Sequence, residues 1–475
     1  MVLTRRRAHP LHALLLLPAL LVWVGLPPAK RDASKPLPLT VWIWSTGRRI
    51  DQEAVRRVVA EGAEAPFVKA GTFEFAHGRL DYRPELGPEA LPAGTYRLVY
   101  SFEPSVISSL EAIGAKQLAS AIGGAFRADS ESLHVAVRGV QVDLDCPTRL
   151  LPLYAEALRS LRGALPSGTE LSTTTLLTWL DAPSFERVLE EVDFHVPMAF
   201  GYRIPQRVEE RSPIADLDHV LGAVAAADRL GKPYWIGLGA YGYVLSYGPN
   251  GDLEHVHGKA DPREVPSSCV RATGEGAYEV LSPIRLHGID VPVGRALRYD
   301  RFRVATLQAW LAELRHEAGP QCRGAILFRL AGREDPLALT PAGFHAIATG
   351  APPFAPSLRI EGEGSRMRAV LSNGGPDDGA FGPGACRVTL RLTRGRFEFA
   401  SRGGFDGHSG RLGDCPASVP RSDRVVWTSA GLGGEETISS GTIVVGLPFE
   451  GELSAEVDGP SGRIQLGPIP VRRSR

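Results

Sequence analysis

Asp143 and Asp145 are the residues whose type and spacing bear most directly on chemistry. They lie in Gly139-Val-Gln-Val-Asp-Leu-Asp-Cys-Pro147, which reads as a buried strand ending in acids. Side chains alternate along a strand, so Gln141, Asp143 and Asp145 share one face while Val140, Val142 and Leu144 share the other. The apolar face calls for a covering helix, and residues 148–162 supply leucines at helical spacing. Unpaired buried carboxylates cost several kcal/mol, so the acidic face belongs at a solvated cavity or mouth. Two like charges held close raise one pKa, as a general acid requires. Glu103 ends an earlier strand-like segment and offers a second carboxylate; two carboxylates across a cleft are the minimal apparatus for most glycoside hydrolysis. This assigns Asp145 as acid and Glu103 or Asp143 as base or nucleophile. The competing roles are structural: helix capping or an arginine contact for the aspartates, and a helix-start acid before Pro104 for Glu103.

Around these acids, Gln141 and Arg149 are candidate substrate contacts, Arg149 as a clamp on the carboxylates or on an acidic sugar. Trp44, Trp179, Phe200, Tyr202, Tyr241 and Tyr243 lie near predicted strand ends and could stack on sugar rings, with core packing the alternative for each. His195 reads as a core histidine, and His255 and His257 as residues of a long loop. Neither Cys-x-x-Cys nor His-x-x-x-His spacing occurs, so no metal site is expected. Of the five cysteines, Cys386–Cys415 and Cys269–Cys322 are the expected disulfides, leaving Cys146 beside Asp145.

The elements that must position these residues alternate strand and helix. Strand-like segments at 39–44, 66–69, 96–102, 139–147, 169–175, 192–200, 233–238 and 322–329 are separated by helical patterns, including 51–62, 111–126, 214–230, 303–317 and 340–348. Residues 71–91 suggest a small hairpin, and 239–299, full of Gly, Pro and charge, reads as a long irregular insertion. Eight such units predict an α/β fold, a (β/α)8 TIM-type barrel over residues 36–350. No Gly-x-Gly-x-x-Gly follows the first strand, so a dinucleotide fold has no support and no cofactor is expected. Pro352-Pro-Phe-Ala-Pro356 breaks the pattern. Short alternating strands separated by turns then predict a small all-β, sandwich-like domain over residues 355–475.

The 475 residues carry 53 basic and 53 acidic side chains, so no bulk electrostatic pull toward nucleic acid or anionic lipid is implied. At the N-terminus, Arg5-Arg-Arg7 precedes an apolar run from Leu11 to Leu26. Residues 1–30 therefore read as a signal peptide or N-terminal anchor, predicting an exported protein: periplasmic, envelope-bound or secreted. Membrane contact is expected only through that segment if it stays uncleaved.

The carboxylate strand resembles the fourth-strand signature of the family 18 glycoside hydrolases, the chitinase-like barrels, and residues 192–202 resemble their sixth-strand Met-x-Tyr-Asp segment. The succession Val-Asp-Leu-Asp-Cys-Pro-Thr-Arg, Leu-Ser-Thr-Thr-Thr-Leu-Leu-Thr-Trp-Leu and Val-Pro-Met-Ala-Phe-Gly is similar to an uncharacterised family of exported bacterial proteins, domain-of-unknown-function family 3142, across roughly residues 38–345. Within the hydrolase pattern the catalytic glutamate aligns with Asp145, which is one methylene shorter. The first aspartate aligns with Gln141 and the Tyr-Asp pair with Phe200-Gly201. These departures argue against chitin hydrolysis itself. The resemblance implies a glycoside-hydrolase-like barrel acting on a polysaccharide by carboxylate acid/base chemistry. The alternative is a non-catalytic barrel that binds glycan or scaffolds an envelope assembly.

Overall fold

A computed structural model describes residues 32, 34–44, 50–201, 203–210, 214–258, 260, 265, 269–274, 276–330, 335, 337–380, 384–409, 417, 418, 423–429 and 431–474. The proposed signal or anchor segment, Tyr202 and Cys415 lie outside the described residues.

The barrel strands begin with β1 (Leu39–Ile43) and β2 (Phe67–Ala76). β2 turns back on itself as the antiparallel hairpin strand β3 (Arg79–Pro84). β4 (Thr95–Phe102), β5 (Ala136–Asp143), β6 (Glu170–Thr175), β7 (Phe194–Pro197) and β8 (Tyr234–Gly239) follow. An insertion then carries β9 (Gly242–Tyr247), β10 (Leu253–His257), β11 (Val270–Gly274), β12 (Ala277–Val280), β13 (Ile284–Leu286), β14 (Ile289–Val291) and β15 (Ala296–Arg301). β16 (Cys322–Leu330) is the last barrel strand. Parallel neighbours run β1-β16-β8-β7-β6-β5-β4-β2, and pairing of β1 with β2 closes the ring. The sheet is thus a closed barrel of eight parallel strands, with β3 hanging from β2.

The crossover helices are α1 (Gln52–Ala60), the short α2 (Pro104–Ser108), α3 (Leu110–Ser132), α4 (Leu151–Ala164), α5 (Phe185–Glu191), α6 (Leu217–Leu230), α7 (Val304–Glu317) and α8 (Pro341–Thr349). Their starts are written locally. Asp51 caps α1 by accepting the N–H groups of Glu53 and Ala54, and Asp216 and Thr340 cap α6 and α8. Leucine-rich faces of α3 and α4 bury Leu118, Ile122, Leu158 and Leu161 in one core with the outward rows of the strands, including Val140, Val142 and Leu144. Inside the barrel, Trp42, Phe67, Val99, Phe194, Val196, Trp235 and Ile326 form a separate apolar fill.

The expectation of an irregular 239–299 is corrected. This segment folds into a five-stranded antiparallel sheet, β10-β9-β15-β12-β11, plus the β13–β14 hairpin, around a small core that includes Val244, Leu286 and Leu297. Its strands are only three to six residues long, so turns punctuate the sequence as densely as in a loop. From Pro356 onward two antiparallel sheets share a core that includes Leu371, Val388, Trp427, Leu453 and Val457. One acid of this region reaches back to the barrel: the Asp377 carboxylate accepts the N–H groups of Val304 and Ala305 at 2.9 and 3.1 Å, capping α7. Asp378 pairs with Arg301 alongside it.

Candidate functional site

Strand alternation places Gln141 and Asp143 as their spacing implies, but the strand ends before Asp145. Val140, Val142 and Leu144 join the core under the helices, while Gln141 and Asp143 face into the barrel. The ladder ends at Asp143, so Asp145 and Cys146 stand beyond the strand, at the carboxyl end of the barrel.

Gln141 is completely buried. Its Oε1 accepts the indole N–H of Trp42 at 2.7 Å, and its Nε2 has no partner. Above it, Asp143 accepts the hydroxyl of Thr174, its neighbour on β6, at 2.8 Å. Burial pushes the Asp143 carboxyl up to about 6, and the Asp145 charge adds to the rise. The Thr174 bond and the Lys69 ammonium only partly oppose it. Asp145 is solvent-exposed, yet the surrounding protein still raises its carboxyl through desolvation. The Asp145 charge thus acts on Asp143 in addition to burial.

Lys69 was not apparent in the sequence as a site residue. Its ammonium is 2.8 Å from Glu85 and lies over the Trp44 ring at 5.0 Å. Glu85 follows the β2–β3 hairpin, folds back over the barrel, and accepts the Thr72 hydroxyl at 2.8 Å. Thr72 in turn contacts the Ser101 hydroxyl at 3.1 Å, and Ser101 is the register partner of Asp143. A polar chain thus runs from Lys69 to Ser101 on β4, the strand next to the carboxylate strand. No sign of it shows in the sequence, because the strand-like run read at 66–69 ends at Lys69 while β2 continues to Ala76.

Aromatic residues fill the same end. Phe200 and Phe328 stack at 5.1 Å, and the edges of Trp42, Trp44 and Tyr241 meet Phe328 at 5.6–5.8 Å. Arg329 lies over the Tyr241 ring at 5.8 Å and pairs with Asp335. Tyr243 is 5% exposed and joins the core between insertion and barrel.

Other expected site residues lie elsewhere. Trp179 is buried beneath the helices against Tyr154 and Phe185, with its indole N–H donated to the Cys146 carbonyl at 3.0 Å; the turn after β6 points it outward. Arg149 pairs with Glu111 at 2.9 Å on the helical surface, so it does not clamp the carboxylates. Glu103 occupies the N-cap position of α2 without a side-chain cap bond and sits 3.6 Å from Arg83 of β3, both groups exposed. His195 is fully buried beside the Thr175 hydroxyl at 3.2 Å, and burial pushes its ring down to about 3, leaving it neutral. His257 is buried against Ser246, whereas His255 is exposed. Among the described residues no group of three or more His, Cys, Asp or Glu could hold a metal ion. The expected Cys269–Cys322 disulfide is not formed: Cys322 starts β16 beside Tyr234, and Cys269 heads a strand of the insertion. Cys146 is buried, which pushes its thiol up to about 12. Two cavities of about 450 Å³ lie away from the carboxylates, one in the insertion around His255 and Arg295, the other at the amino end of the barrel.

Fold and site together define a (β/α)8-barrel protein with two acids, Asp143 and Asp145, at the carboxyl end of its fourth barrel strand. A family described as a domain of unknown function, DUF3142, matches residues 108–333, from α2 through β16. Among solved structures, the chain is similar to the spore cortex-lytic enzyme SleL of Bacillus cereus (14% identity, 66% of this chain and 74% of that one, TM-score 0.41). It is also similar to a chitinase from Chromobacterium violaceum (15%, 65% and 98%, TM-score 0.40). A third likeness is to the tamarind chitinase-like lectin (9%, 62% and 94%, TM-score 0.30). No curated protein matches.

Proposed function

We propose that this is an exported, glycoside-hydrolase-like barrel acting on a polysaccharide. The observation that carries the reading is the pair Asp143/Asp145, with Asp143 raised to about 6 by burial and by its neighbour. A carboxyl that keeps its proton close to neutrality is what a general acid needs. In this reading Asp145, the exposed member, delivers a proton to the glycosidic oxygen as the bond to the anomeric carbon breaks. Asp143 beneath it keeps the pair singly protonated. Glu103, at the end of the adjacent barrel strand, is the second carboxylate and activates a water once substrate displaces Arg83. The aromatic end of the barrel, with Trp44 beside Lys69, offers faces on which sugar rings stack.

A second reading has its own observation. Phe200, Phe328, Trp42 and Tyr241 pack on one another at the carboxyl end, and Glu103 is engaged by Arg83. That arrangement suits a barrel that binds glycan without cleaving it. A reducing-sugar assay of the purified protein over a polysaccharide panel separates the two. Hydrolysis that disappears in Asp145→Asn, with the circular dichroism spectrum unchanged, supports the hydrolase. Saturable binding of one glycan without release of reducing ends supports the binding barrel and refutes the hydrolase.

A further inference from the structure

At the amino end of the barrel, opposite the carboxylates, the strand starts build a second polar site. A cavity of about 450 Å³ there is lined by residues including Glu64, Arg97, Arg138, Glu170, Trp235 and Arg323. Arg97 is 1% exposed, and its guanidinium is held on three sides: Nε donates to Glu170 at 2.8 Å, Nη1 donates to the carbonyls of Ala65 and Glu64 at 2.9 and 3.3 Å, and Nη2 lies 3.9 Å from the Glu64 carboxylate. Arg138 bridges Glu64 and Glu170, each at 3.1 Å. Two arginines therefore answer two glutamates.

Arg323 is a third cation with no acid to match it. Its guanidinium lies over the Phe194 ring at 5.1 Å, and among the described residues it forms no ion pair. Beside it in the lining, Trp235 is 2% exposed, and its indole N–H has no acceptor. A buried donor left unpaired costs about 1–3 kcal/mol. The lining thus holds one surplus positive charge and one unanswered N–H.

We propose that this cavity binds an oxyanion, a carboxylate or phosphate group of a small molecule, held by Arg323 and by the indole N–H of Trp235. A guanidinium presents paired donors that match either group. Arg97 and Arg138 form the rigid floor, neutralised by Glu170 and Glu64, so a single net negative charge completes the site. The proposal does not depend on the carbohydrate reading, because the site lies at the far end of the barrel from Asp143 and Asp145.

The full-length protein labelled with 5-fluorotryptophan gives a fluorine resonance for each of its seven tryptophans, and Trp235→Phe assigns the one in the cavity. The titrants are inorganic phosphate and, separately, acetate, at constant ionic strength. The Trp235 resonance should move saturably with at least one of them, and the responding anion distinguishes a phosphate from a carboxylate site. Arg323→Gln, a change at an exposed side chain, should weaken the apparent affinity about tenfold or more. A Trp235 resonance that stays fixed with both anions overturns the proposal. So does one that shifts with unchanged affinity in Arg323→Gln.

Discussion

Replacing Asp143 with Asn should make the protein more stable at neutral pH while abolishing the hydrolysis proposed above. The folded carboxyl titrates at about 6 against an ordinary value of 3.8. At about 1.4 kcal/mol per pH unit, the gap corresponds to about 3 kcal/mol. The sign follows from linkage. Below pH 3.8 the group is protonated in both states and contributes nothing. Between 3.8 and about 6 the unfolded chain releases the proton and the folded chain retains it, so stability falls as pH rises; above about 6 the full penalty is present. Asparagine carries no charge at any pH, and its side-chain oxygen still accepts the Thr174 hydroxyl. Urea unfolding from pH 4 to 8 should therefore show wild type losing about 2–3 kcal/mol relative to Asp143→Asn between the acidic and neutral ends. Parallel stability curves for the two proteins would refute the burial argument, and with it the raised carboxyl on which the proposed acid chemistry rests. A gain in stability coupled to loss of activity is the pattern of a strained functional group.

Arg97→Met should cost about 3 kcal/mol or more, because it strips the buried Ala65 carbonyl of its donor and leaves Glu170 with only the exposed Arg138; a loss under ~1 kcal/mol in urea unfolding would contradict a buried pair. Asp377→Ala should destabilise by about 1–2 kcal/mol through loss of the α7 cap, with hydrogen exchange accelerated at Val304 and Ala305; unchanged exchange there would count against the cap. His195 should remain neutral between pH about 5 and 8, visible as an imidazole NMR signal that does not titrate in that window; a midpoint inside it would contradict the buried placement.

The barrel was legible because most strands carry an alternating or continuous apolar run and the longer helices an apolar stripe, and these periods survive in a single sequence. The placement of Gln141 and Asp143 followed from the same alternation. What stayed hidden depends on where the chain goes after it leaves an element. Trp179 follows a strand directly, but the tight turn between them rotates it under the helices. Glu85 lies 16 residues beyond Lys69, and only the hairpin reversal brings their charges to 2.8 Å. Arg149 had two acids nearby in sequence, yet the short turn that carries it ahead of α4 faces Glu111 of α3. The strands of the insertion were concealed because each is scarcely longer than the turns that bound it.

That insertion leaves and rejoins the barrel through one two-stranded stem. Gly242 and Arg301 are directly opposed in the ladder, and the Phe302 N–H donates to the Tyr241 carbonyl at 3.2 Å. With its two ends already in contact, the length of chain between them has little bearing on the geometry of the parent strands, and each doubling of that length adds only about 0.6 kcal/mol of closure entropy. The stem is therefore a grafting point. A cassette there can grow, shrink or be exchanged for a different one while the eight strands and their carboxylates keep their places, so new recognition can be acquired without rebuilding the barrel.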